Sequence, residues 1–434
     1  MIASEKTFKR RSSYCASNFL QASFLTFKKR GVSKSVKIFF ALSAVVVLLF
    51  LAVAFFGNEI AFASTEADKN IEAELKSAVD DIIGRLDTDA FDSFLKSLDE
   101  EQKSTLSFDS IKDMLKSLTA GASGNFFQNF LEFLSSSVGK YFAGFLPSFI
   151  TIIVICLLKN MLSGMTSNFL NNSTTEVVHV VCYSAIIVVL MTGVVTVIKT
   201  VLATIEQMST FSMAVFPPLL TMLSMLGGAS SVAIYQPFMA VLSSSIIKLI
   251  ISFIVPAFIA TIVFSVVGNI SKNVKLDKLT KLIKSVSTWV LGIVFGLFAT
   301  FLTMQGITGG VVDKFGFNAA KFALSSYVPV LGGYLSDGFD LLSTSMVLVK
   351  NAFGFTGVLA LLSLVMFPLL KLIVFVLALR LTSAIVEPIG DERVAGMLHN
   401  LADNMSLLIT ALIGVAFMFF ILLMLVIGSC NMGL

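Results

Sequence analysis

The stretch Ser271–Lys284, SKNVKLDKLTKLIK, lies between two strongly apolar runs and decides how the rest of the chain is laid out. Lysine recurs at every third position, Lys272, Lys275, Lys278, Lys281 and Lys284, while Leu276, Leu279, Leu282 and Ile283 keep helical spacing on another face. Short loops rich in Lys and Arg stay on the cytoplasmic side, because carrying them across a bilayer is unfavourable. The loop is therefore read as cytoplasmic, and every apolar run takes its direction by counting outward from it. A solvated helix resting on anionic headgroups accounts for the lysines, and a dedicated partner-docking site is the alternative.

Composition agrees with a chain built around a membrane. Of 434 residues, 56% are hydrophobic and 13% charged, with a mean hydropathy of +0.91, whereas about a quarter of a soluble domain is charged. The fold class expected is an all-α polytopic membrane protein. Its net charge of +4 conceals segregation: residues 1–37 hold nine Lys/Arg against one Glu, and residues 64–118 hold fourteen Asp/Glu against seven Lys/Arg. Such a basic leader is a targeting and topology signal, and nothing in the chain suggests nucleic-acid binding. Cys15, Cys156, Cys182 and Cys430 lie far apart without CxxC or zinc-type spacing, so neither a structural disulfide nor a metal site is expected.

In order, residues 1–63 read as a basic leader and signal peptide. The 19-residue apolar core Ile38–Phe56 precedes Ala61-Phe62-Ala63, a small-residue site with cleavage expected after Ala63; an uncleaved anchor is the alternative. Residues 64–141 form an external acidic helical head ending in the Phe-rich amphipathic stretch 126–145, expected at the membrane interface. The polytopic domain is 142–434, with six spans expected at 142–158, 177–198, a third ending at Val267, 286–304, 354–379 and 406–427. Lys159 and Lys199 close the first two, and Lys248 snorkels to the outer headgroups from the third.

Two segments are expected to be broken or re-entrant on the external side. Pro217 and Pro218 interrupt 200–228, because consecutive prolines remove two backbone donors. The second, 305–351, carries Gly309-Gly310, Pro329 and Gly332-Gly333. Irregular backbone at membrane depth is tolerated only when buried in protein or lining a cavity. A mature N-terminus outside and three crossings place the lysine ladder inside, in agreement with the charge rule.

Signatures of catalysis are absent: no phosphate loop, no H-E-x-x-H, no G-x-G-x-x-G. An intramembrane hydrolase would need a pair such as Ser230 and His399, and neither sits in a recognisable motif. No enzyme activity, cofactor or metal is expected. Glu206 and Lys371 are candidate intramembrane polar residues, functional by default unless they sit at a span's edge; for Lys371 that edge would be the cytoplasmic one. Gly292 and Gly296 form a G-x-x-x-G that would let another helix approach. Glu387, Asp391, Glu392 and Arg393, around Pro388 and Gly390, form either an exposed polar knuckle suited to docking a cytoplasmic protein or a simple helix cap.

Several blocks together, VVHVVCYSAIIVV at 177–189, FSMAVFPPLLTMLSMLGG at 211–228, ALSSYVPVLGGYLSDGFDLL at 323–342 and EPIGDERVAGML at 387–398, resemble the stage III sporulation protein AE family of endospore-forming bacteria. The resemblance implies a subunit of the secretion-like channel complex linking mother cell and forespore, resident in the mother-cell membrane around the forespore and required for forespore development. It implies as partners the other stage III sporulation subunits, including a cytoplasmic secretion-type ATPase and intermembrane ring proteins, besides membrane lipid. It supplies no catalytic residues. The alternative reading is a stand-alone small-solute permease, for which broken spans would be the mark.

Overall fold

The computed structural model describes residues 69–85, 88–98, 126–169, 172–270, 276–298, 300, 322, 332–389 and 392–429. The chain divides into two units, Met1–Phe55 and Phe56–Leu434, and every described residue lies in the second. The signal peptide and its cleavage site therefore fall outside the described residues, as do Lys272, Lys275, Pro329 and Asp391.

Every extended element among the described residues is helical. Helices α1 (Lys69–Arg85) and α2 (Asp89–Ser97) belong to the acidic head. Six more are long and apolar enough to cross a membrane: α3 (Phe126–Phe169), α4 (Asn172–Met225), α5 (229–270), α6 (Asp277–Phe298), α7 (Gly332–Val386) and α8 (Glu392–Gly428). Five contain an expected span and α6 covers residues 286–298 of the fourth, so the protein is an all-α polytopic membrane protein, with six long apolar helices among the described residues.

The helices are much longer than the spans. At 1.5 Å per residue α4 and α7 each run about 80 Å, against a hydrocarbon core of about 30 Å. Helix α4 turns into α5 at Gly227, whose φ of 82° is one that glycine adopts without strain. Helix α5 is α-helical except for π stretches at Leu242–Ile246 and Ile250–Ile254. Helix α7 is central: α1, α3, α4 and α8 all pack on it, and α8 returns along it after the 3-10 turn Glu387–Ile389. Two glycines set this packing. A Cβ at Gly354 of α7 would run into Ile427 of α8, and one at Gly414 of α8 would run into the ring of Phe295 of α6.

Two expectations about local structure are corrected. Pro217 and Pro218 do not break the chain; both lie inside continuous α4. Each proline costs a helix interior about 3 kcal/mol, but Phe211, Phe216, Leu219, Leu220 and Leu223 around them are buried. At about 1.5–3 kcal/mol per buried large apolar side chain, that burial outweighs the cost. The Thr221 hydroxyl also donates to the Pro217 carbonyl at 2.9 Å. The parity of the spans is unchanged, because 200–225 extends the second span and does not cross back.

The segment 332–351, expected to belong to a re-entrant hairpin, is instead the first part of α7. Its Ser345, Val347, Val349 and Lys350 are buried against neighbours, which selects helix where loop-forming composition pointed elsewhere. The Phe-rich stretch 126–145 runs without interruption into the first span as the start of α3. The head is docked on the bundle. Helix α1 packs on α7 and α2 on α4, where Phe91 and Phe94 are fully buried. Ring centroids of Phe91 lie 6.2 Å from Phe211 and 5.7 Å from Phe353, and Phe94 meets Phe211 edge-on at 5.5 Å.

Candidate functional site

The bundle has two chemically different ends. One is the end where α7 turns into α8. Glu387, Pro388 and Glu392 are exposed there and Arg393 is half-buried, with Glu392 opening the first turn of α8. Both readings of this segment keep support: an exposed bend is present, and an acidic residue sits at a helix N-terminus, where the dipole favours it. The Asn160 side-chain amide donates to the Ile389 carbonyl at 2.7 Å, which ties the end of the first span to the turn.

The lysine ladder belongs to this same end. Lys278 and Lys281 are exposed on the first turns of α6, whereas Lys284 is half-buried and its ammonium donates to the backbone carbonyl of Asp403. A spacing of three residues advances 300° around a helix, so successive lysines drift off one face and the last turns inward. Asp403 is the hub it meets. Its carboxylate lies 2.9 Å from Arg380 Nη2 and 3.8 Å from His399 Nε2. This cluster of Lys284, Arg380, His399 and Asp403 was not foreseen as a unit. Only the four-residue step from His399 to Asp403 is visible in sequence; Arg380 and Lys284 arrive from other helices.

The opposite end holds the head, the α4–α5 turn and the C-terminal turn of α8. Tyr235 bonds the Ser429 hydroxyl at 3.0 Å, and the wholly buried Lys350 donates to the Ser429 carbonyl. Ser230 belongs to this end and His399 to the other. The rise from His399 to Ser429 along α8 is about 45 Å, so the two residues of the hydrolase reading are far apart.

Midway between the ends stand the candidate intramembrane residues. Lys371 is half-buried and donates to Thr200 Oγ1 at 3.3 Å, while Glu206 is exposed on α4. Lys371 therefore lies level with the end of the second span near Lys199, about 27 Å in rise from the turn beside Ile389. Nothing among the described residues lies against Gly292 or Gly296. Among the described residues, no group of three His, Cys, Asp or Glu converges as a metal site would require.

Comparison with known proteins gives two matches. The family model described as stage III sporulation protein AE matches residues 109–430. A curated protein, stage III sporulation protein AE of Bacillus subtilis (strain 168), is 26% identical over 282 residues, 65% of this chain and 71% of that protein. No solved structure matches.

Proposed function

This chain belongs to the stage III sporulation protein AE family, and from that premise we propose that it is the polytopic membrane subunit of a secretion-like channel complex that links mother cell and forespore. It is a sporulation-related multi-pass membrane protein. In the finer reading it sits in the mother-cell membrane around the forespore, performs no chemistry, and works by holding other subunits together across that membrane.

The family match over residues 109–430 carries this reading. The separation of the ends supports it. Exposed Glu387 and Glu392 lie at the same end as exposed Lys278 and Lys281, a combination of charges suited to a cytoplasmic secretion-type ATPase. The acidic head lies at the other end, where ring proteins of the intermembrane space would be met. A small-solute permease drew its support from breaks at Pro217-Pro218 and around Pro329; the first pair lies inside continuous α4, and Pro329 lies outside the described residues.

The experiment is deletion of the protein from a sporulating host, followed by complementation. Deletion arrests forespore development, the unaltered chain restores it, and a Glu387→Lys, Glu392→Lys variant accumulates in the membrane without restoring it or retaining the ATPase in pull-downs. Normal forespores after deletion would sink the proposal.

A further inference from the structure

Four helices carry a cation within about 10 Å of one height, roughly one bilayer thickness from the turn end. In α3, Lys140 lies about 28 Å in rise from Lys159, beside which Asn160 binds Ile389. In α7, Lys371 lies about 27 Å from Ile389. Lys199 of α4 is about 33 Å from Val177, where that helix becomes apolar, and Lys248 of α5 is about 31 Å from Asn269.

Contacts between helices register them. Lys371 reaches Thr200, next to Lys199. Phe375, one turn from Lys371, packs on Phe145, five residues from Lys140, with centroids 5.0 Å apart. Ser243 of α5 bonds Ser209 at 3.3 Å and Ser212 at 3.2 Å, which sets Lys248 near Glu206. Lys140, Lys199 and Lys371 thus lie at one level and Lys248 and Glu206 about 10 Å further from the turn end, together a belt about 10 Å deep around the middle of the bundle.

The surface changes character at that belt. Between it and the turn end, exposed side chains include Ile150, Leu158, Val188 at 67% exposure, Ile259, Trp289 at 70% and Leu377. Beyond it, the exposed large apolar side chains of α4, α5 and α7 are Met213, Met225, Val241 and Leu342, set among exposed Thr210, Thr221, Ser224, Gln236, Ser244 and Ser245. A lipid-facing surface is a continuous apolar band, and exposed lysines are costly inside it but favourable at its rim.

We infer that the outer boundary of the bilayer lies at the belt Lys140, Lys199, Lys248 and Lys371, with lysine ammoniums on lipid phosphates, and that the outer halves of α4, α5 and α7 stand out of the membrane as a helical tower. Phe353 is about 27 Å in rise beyond Lys371, so the tower lifts the docked head, held through Phe91, clear of the headgroups. By the same rise Arg380 is nine residues from both Lys371 and Ile389, so the cluster of Lys284, Arg380 and Asp403 then lies near the middle of the bilayer, mutually paired on facing helices. The alternative, a bilayer running outward from that cluster, would submerge the exposed Lys140, Lys199 and Lys248 in lipid. The inference rests on helix length and charge placement, so it stands or falls independently of the forespore role.

In nanodiscs of mixed zwitterionic and anionic phospholipid, single cysteines placed in cysteine-free protein at Thr210, Thr221 and Gln236 should react with a charged maleimide as fast as one at Lys278, and one at Val188 should resist. Protection at Thr221 and Gln236 would overturn the inference.

Discussion

The guanidinium of Arg380 on α7 meets the carboxylate of Asp403 on α8 at 2.9 Å, joining the two antiparallel helices that form the centre of the bundle. Both side chains keep about a third of their exposure, 33% and 36%; with the bilayer placed as inferred above, that exposure is to lipid, and the pair is not screened as a surface pair in water is. A double-mutant cycle with Arg380→Gln and Asp403→Asn should give a coupling above the roughly 1 kcal/mol of an exposed pair. Thermal unfolding in detergent measures it. Asp403→Asn alone should be the more damaging of the two, because it strips the partner from both Arg380 and His399.

Phe91 anchors the head. Truncating a fully buried Phe costs about 3–5 kcal/mol, and Phe91 touches rings on both α4 and α7. Phe91→Ala should therefore release α1 and α2 from the bundle while leaving the long helices folded. Trypsin cleavage at Arg85, slow in the unaltered protein and fast in the variant, reports the release.

Close packing at glycine predicts an asymmetry between two pairs. Gly354→Leu and Gly414→Leu place side chains on Ile427 and Phe295 and should destabilise the isolated chain by about 1–3 kcal/mol through overpacking. Gly292→Leu and Gly296→Leu meet open space and should leave its melting temperature unchanged.

Because Pro217 and Pro218 lie inside α4, removing them should help and not harm the fold. Pro217→Ala, Pro218→Ala restores two helix donors, and the expected change is a gain of stability of up to about 3 kcal/mol. A loss of melting temperature in the purified variant would instead mean that the prolines hold a bend the bundle needs.

Hydropathy and charge were enough to find six spans and to group the exposed knuckle with the lysines, since both depend on the affinity of local segments for lipid or water. Glu387, Glu392, Lys278 and Lys281 do share one end. Segment-level reasoning failed where neighbours decide conformation. Pro217 and Pro218 are breakers in isolation, and Gly332-Gly333 reads as loop, yet burial against other helices holds both regions helical.

The sequence by itself determined that this is a helical membrane protein, the number of its apolar spans and the family to which its motifs belong, because periodicity, hydropathy and rare residue combinations are written along one chain. Tertiary structure decided which of its polar residues work together. Lys371 with Thr200, Lys284 and Arg380 with Asp403, and Phe91 between Phe211 and Phe353 come from helices far apart in sequence. Their heights are set by how the helices pack, and no local pattern encodes that register.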